Sequence, residues 1–492
     1  MEVIGEAGII FLLLVLSILL FSSMKMYQGQ LPPGPTPWPL LGNLLQKDTR
    51  NVSDSYQKLS MKYGPIFTIW MGPKPVVVLC GYEVVKDALV NYSEEFGGQP
   101  PLPIFDSVTK GRGLLSTNEM KWKELRRFTL STLRNFGMGK MMMSERIQEE
   151  ANCLVEVMAT TQGQAFDPQN SISSAVANVI SAMLLGSSFG HNNQDFLEYQ
   201  RIMMDFLRFS HTFSGLVYNC IPKIMDYLPG RHKKVFADCE KLCTFIHERV
   251  EYHRQTLDPQ NPRDYMDCFL IKFEKEQYSA SGLYTTEDLV MNTFVLLQGG
   301  TLSMTHFLLY SLLVMTMYPH IQEKVQQEID EVVGANRTPN MEDRVRLPFT
   351  NAVIHEILRY ELNSVDPIPH MMTQHTDFRG YSIPQGTTVF PMTVSVLFDP
   401  LHWETPDEFN PGHFLNEKGE FRKRDAFMPF LAGKRACPAE ALALTELFLF
   451  FTSLLQNFCF HIVSEERDIT SLFYNFNRRG LYPQIQAIQR CK

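Results

Sequence analysis

The chain has 492 residues, 45% of them apolar and 20% charged, which makes it an ordered globular protein with enough length for a large core. Its net charge of -8 argues against general nucleic-acid binding and confines any basic surface to a local patch. Nine cysteines are spread along the chain without a dense framework, as reduced thiols are, and Cys239 with Cys243 has no second Cys or His pair to complete a zinc site.

In chain order, the first element is an apolar run over residues 8 to 23, which with Val3 and Ile4 approaches the roughly 20 residues that cross a bilayer. Glu2 and Glu6 precede it where a cleaved signal peptide would carry cations, no small-residue cleavage site follows, and Lys25 comes after it. Residues 1–24 are therefore expected to be a signal anchor that leaves the body in the cytosol. Pro32, Pro33, Pro35, Pro37 and Pro39 make residues 25–45 a stiff hinge. Residues 65 to 81 are predicted to form two strands around a Gly-Pro turn, and a second strand-rich patch is expected near 377 to 395. Most of the remainder has helical periodicity, notably 284 to 318 and 320 to 333, so the predicted fold class is mainly α with a minor β region.

Several helical segments carry polar groups suited to a ligand. Trp122 and Arg126 stand at i and i+4, an indole N–H beside a guanidinium, a face that suits a carboxylate. The apolar helix from 291 to 319 is too polar in its middle for a second membrane span. It holds Gly299 and Gly300, each costing about 1 kcal/mol relative to Ala in a helix interior. Close approach of a flat ligand and close packing of another helix both explain such a pair. Glu356 and Arg359 lie one turn apart and can form an ion pair. Finally, Cys437 follows a loop with Gly433, Lys434 and Arg435 and precedes an apolar helix, where cations and helix N–H groups favour a thiolate, either as nucleophile or as metal ligand. A buried structural cysteine is the alternative.

Together these residues resemble the cytochrome P-450 superfamily, in particular its microsomal family-2 branch, over almost the whole chain. The strongest element is Phe430-x-x-Gly433-x-Arg435-x-Cys437; the anchor and hinge, Trp122-x-x-x-Arg126, the glycine-bearing helix, Glu356-x-x-Arg359, and Pro406-x-x-Phe409 leading to His413 appear in the family's order. The resemblance implies a catalytic domain over 46–492 holding haem b, with Cys437 as its axial thiolate. It assigns Trp122, Arg126, His370 and Arg435 to the haem propionates and places Glu356, Arg359 and His413 in an internal network. It lays Gly299 and Gly300 against the distal haem face. Ser303 and Gly300 are the expected catalytic positions, with Leu302 where the family usually has an acid. Phe105, Phe206, Phe209, Val365, Ile368 and Phe473 fall in segments that line the substrate pocket in relatives. Ala439 and Gln99 also depart from the family pattern, standing where a glycine and a propionate-binding arginine are common.

The activity so implied is monooxygenation of a lipophilic substrate, whether fatty acid, steroid or foreign compound, at the endoplasmic reticulum membrane. Electrons would come from NADPH through NADPH-cytochrome P-450 reductase, with cytochrome b5 as a further donor. Lys121, Lys123, Arg127, Arg134 and Lys140, with Arg422, Lys423, Arg424 and Lys434, are the expected docking cations. Two alternatives stand beside it: a reductase-independent isomerase or dehydratase of lipid peroxides, and a low-turnover haem-binding membrane protein.

Overall fold

The computed structural model describes residues 31–38, 42–43, 52–136, 141–187, 194–276, 282–361, 368–463, 471–472 and 482–490. The expected anchor, much of the hinge, and Lys140, Val365 and Phe473 lie outside the described residues. The chain divides into two units, one comprising Met1–Pro100, Leu362–Glu408 and Arg424–Cys437, the other Pro101–Glu361, Phe409–Lys423 and Pro438–Lys492. The described elements are mainly helical with short sheets, as expected.

The first unit is built on a hairpin. β1 (Ile66–Met71) and β2 (Lys74–Leu79) pair antiparallel, with Ile66 opposite Leu79 and Met71 opposite Lys74, so only Gly72 and Pro73 remain for the turn. Gly72 takes it at φ 60°, a left-handed value that glycine adopts without strain. The remaining strands are β3 (His370–Met371), β4 (Thr376–Phe378), β5 (Tyr381–Ile383) and β6 (Thr388–Pro391). β2 runs parallel to β6 and β6 antiparallel to β3, which gives a sheet of order β1-β2-β6-β3; β4 and β5 make a separate hairpin. α1 (Val52–Tyr63) covers this sheet, with Tyr56 packed among Phe67, Ile69, Val76 and Val78. The expected strand patch ends early: Thr393–Leu397 is a short helix, and Ser395 Oγ accepts the Gly81 N–H at 2.8 Å.

The second unit is helical. Its parts used below are α2 (Glu119–Asn135), α3 (Gln169–Leu185), α4 (Gln194–Ser210), α5 (Arg231–Thr256), α6 (Tyr265–Glu276), α7 (Thr286–Met317), α8 (Pro348–Glu361) and α9 (Glu440–Asn457), with β7 (Phe458–Ile462) and β8 (Ile485–Gln489) paired antiparallel. α7 begins where Thr285 Oγ1 accepts the Asp288 N–H at 3.1 Å and gives way to a new helix at Pro319. It is long and apolar enough to cross a bilayer, yet most of it is buried inside the protein, so it is a core helix. α3 is buried on all sides from Ile172 to Leu185 and packs along it. Between α5 and α6, His253 Nε2 bonds Asp264 Oδ2 at 2.7 Å, and Arg263 clamps Asp267 with two bonds of 2.7 and 2.9 Å. Protein donors satisfy this buried acidic group without a metal.

Candidate functional site

In the first unit, the loop 430–437 is shaped by one residue. Gly433 sits at φ +74°, and a Cβ built on it would lie 1.8 Å from the Leu89 carbonyl oxygen, so the two backbones touch in a way only glycine permits. Four residues on, the Cys437 N–H donates to the Phe430 carbonyl at 2.9 Å, and the residue is half-buried. Ala439 follows as the residue preceding α9, with φ -110°, a conformation that needs no glycine; the departure from the family pattern leaves no backbone strain.

Two expected carboxylate donors hang from neighbouring carbonyls. His370, the first residue of β3, donates its Nδ1 proton to the Phe96 carbonyl at 2.8 Å, and Arg435 Nε donates to the next carbonyl, Gly97, at 2.9 Å. Burial pushes the imidazole down to about 4, and the guanidinium charge adds to that; the ring is neutral. His370 Nε2 is buried with no hydrogen-bond partner among the described residues, the kind of orphan that calls for a missing group. A carboxylate there would accept an Nε2–H and draw the ring's affinity for a proton back up, so this pair fits a carboxylate-bearing cofactor. Gln99 is buried and donates to the Pro369 carbonyl at 3.4 Å, tying together the backbone stretches that carry this pair.

In the second unit, Trp122 is buried on α2 and the Arg126 guanidinium lies over its ring at 5.6 Å, so the face read from the i, i+4 spacing forms. Glu356 and Arg359 are fully buried on α8 and joined by two bonds of 2.7 and 2.8 Å. Glu356 also accepts the Asn410 N–H at 2.9 Å and faces His413 Nδ1 at 3.2 Å, so the carboxylate has donors on every side. Asn410 thus joins Glu356, Arg359 and His413 in one buried hydrogen-bonded group.

The glycine pair on α7 divides. A Cβ on Gly299 would meet nothing within 4 Å, whereas one on Gly300 would come within 2.9 Å of Ile180 on α3. Gly300 packs against α3, and Gly299 faces an opening. In the middle of this helix Gly299 and Ser303 are exposed and Val295, Leu296, Gly300, Leu302, His306 and Phe307 half-buried, so its open side includes Gly299, Leu302, Ser303 and His306. The Ser303 hydroxyl donates to the Gly299 carbonyl at 2.6 Å.

Of the expected pocket residues, Phe105 and the fully buried Phe206 of α4 meet edge-to-face at 4.9 Å. Phe209 packs against Phe236 of α5 instead and is core, and Ile368 is largely exposed. Several expected docking cations are engaged: Lys121 with buried Asp288 at 2.8 Å, Arg127 with Glu124 at 2.6 Å, Arg424 with Glu404 at 2.9 Å, and Lys434 with Glu94. Lys123, Arg127, Arg134 and Lys423 are exposed at the surface. Sequence reasoning missed the pair between His306 of α7 and Glu361 of α8, which are 55 positions apart and share no motif.

Comparison with known proteins gives a consistent result. The family model described as Cytochrome P450 matches residues 32–479. Among curated proteins, the chain is 46% identical over 442 residues to Cytochrome P450 2C16 of Oryctolagus cuniculus, covering 90% of each. It is 43% identical over 474 residues to Cytochrome P450 2C23 of Rattus norvegicus, covering 95% of each, and 46% identical over 464 residues to Cytochrome P450 2G1 of Oryctolagus cuniculus, covering 93% of each.

Proposed function

The chain belongs to the cytochrome P450 family and is a haem-thiolate monooxygenase, and from that premise we propose that it oxidises a lipophilic substrate with electrons passed from NADPH by the flavoprotein NADPH-cytochrome P-450 reductase. When bound, the haem supplies the activation of dioxygen, one atom of which goes to substrate and the other to water.

Cys437 is the proposed axial ligand. The observation that carries the reading is the orphaned Nε2 of buried His370 beside Arg435, in the same unit as the loop that holds Cys437. Arg435, His370, Trp122 and Arg126 are the proposed donors to the propionates, and Phe430 and Gly433 shape the ligand loop. Ser303 offers a hydroxyl whose proton is now given to the Gly299 carbonyl and can be turned toward the opening. Phe105 and Phe206 would present aromatic surface to an apolar guest. Glu356, Arg359 and His413 act by holding the fold rather than by touching substrate. The reductase would dock through exposed Lys123, Arg134 and Lys423, with cytochrome b5 as a second donor; residues 1–24 would anchor the chain in the endoplasmic reticulum membrane, body to the cytosol.

Leu302, where relatives usually carry an acid, favours a second reading in which a preformed lipid peroxide is isomerised or dehydrated without reductase. Reconstitution of the full chain with reductase, cytochrome b5 and phospholipid separates the two. Oxygenated product from fatty acid, steroid or aromatic ether probes should depend on NADPH. Turnover of a lipid hydroperoxide without NADPH, and no product with it, would replace the first reading by the second.

A further inference from the structure

One buried acid–base pair takes no part in the roles assigned above. Glu361, the last residue of α8, is 3% exposed, and its Oε1 is hydrogen-bonded to His306 Nε2. Its other oxygen, Oε2, is buried with no hydrogen-bond partner among the described residues. His306 stands on the open side of α7, three residues after Ser303 and four after Leu302, so its Cβ lies roughly 5–6 Å from theirs. Its side chain is 24% exposed. The pair therefore runs from a buried carboxyl group, through an imidazole, to the edge of the opening on which Ser303 lies. A carboxylate buried with one oxygen unsatisfied is costly unless a neighbouring cation or a proton offsets its charge. Here the imidazole Nε2 faces Oε1 across one hydrogen bond, which leaves Oε2 to be reached by a proton or a donor from outside the pair.

We propose that Glu361 and His306 are the proton store of this chain, standing in for the carboxylate that Leu302 lacks. The proposal rests on the reading that Ser303 serves oxygen activation. In the step proposed, the Ser303 hydroxyl, now donating to the Gly299 carbonyl, turns and gives its proton to the dioxygen under reduction in the opening, leaving the serine oxygen to accept the next proton. His306 supplies that proton from its ring, directly or through one water. Glu361 stabilises the imidazolium before transfer, and the proton is restored from solvent at the partly exposed ring. No electron moves within the pair, and each proton delivered is matched by one taken from water. His306 and Glu361 are positioning residues here, acting through Ser303.

The test uses the full haem-loaded chain with reductase in phosphatidylcholine vesicles, 7-ethoxycoumarin as an apolar probe, and hydrogen peroxide measured per NADPH consumed. Glu361→Gln and His306→Gln should each divert most electrons to peroxide and lower the rate of complete oxygen reduction by about 10²-fold, the lower end of general acid–base assistance. Leu302→Glu placed in the Glu361→Gln background should restore coupling. A readout independent of turnover is the infrared C–O stretch of the ferrous carbon monoxide complex, which should shift in His306→Gln. An unchanged peroxide share in both variants would overturn the proposal. Equal loss of the carbon monoxide spectrum in both, unrescued by Leu302→Glu, would assign the pair to structure alone and also overturn it. Absence of a thiolate-type spectrum in the unmodified chain would instead strike the underlying reading of the site.

Discussion

Glu356→Ala is expected to destabilise the second unit by roughly 3 to 5 kcal/mol, the usual cost of removing one partner from a buried ion pair. Glu356 and Arg359 are each wholly buried, so the alanine takes from the guanidinium two bonds and its counter-charge at a place that water does not reach. The Asn410 N–H and the His413 ring lose the same acceptor, which removes the tie between α8 and the segment after Phe409. With total stabilities of about 5–15 kcal/mol, such a loss is a large part of the whole. The asymmetry is diagnostic. Replacing both charged residues, as in Glu356→Leu with Arg359→Met, should cost less than Glu356→Ala alone, because no unpaired charge is left behind. Denaturant unfolding of the three chains reads this directly, and a single-variant loss below about 1 kcal/mol would show the network to be far weaker than its burial implies.

Gly433→Ala should abolish stable haem binding while leaving the helical unit folded. The residue's φ of +74° strains any L-side chain, at roughly 1–3 kcal/mol. The larger obstacle is that the new methyl would lie 1.8 Å from the Leu89 carbonyl oxygen, a backbone atom with no rotamer to escape into. The loop must then move, and with it Cys437, whose N–H is bonded to the Phe430 carbonyl at 2.9 Å. Two controls isolate the cause. Gly299→Ala, whose methyl meets nothing within 4 Å, should retain haem, and Ala439→Gly, at φ -110°, should change little. Haem per polypeptide after purification is the measurement. Full occupancy in Gly433→Ala would contradict the account of the loop.

What the sequence made legible was local. The hairpin over 65 to 81 could be read because β-branched and aromatic residues flank Gly72 and Pro73, and the long helix because its apolar run ends at Pro319. The i, i+3 spacing of Glu356 and Arg359 announced a pair. Its burial, and the donor from Asn410, depend on chain folding back from more than 50 positions away. The double glycine was ambiguous for the same reason: periodicity places Gly299 and Gly300 on one helix but says nothing of Ile180, which turns one of them into a packing residue. In the basic run around α2 charge is visible in sequence and pairing is not. Asp288, which neutralises Lys121, is 167 residues downstream, the difference between the two positions. The His306–Glu361 pair lay beyond sequence reading altogether, since neither residue belongs to a motif and only the packing of α8 on α7 joins them.

The central claim is that Cys437 is a thiolate ligand to haem iron, and the ferrous carbon monoxide spectrum of the purified full chain tests it most directly. The Soret position reports the ligand opposite the bound gas. The account expects the thiolate-type band in the unmodified protein and its loss in Cys437→Ala. An imidazole-type band, or a thiolate band that survives in Cys437→Ala, would contradict it.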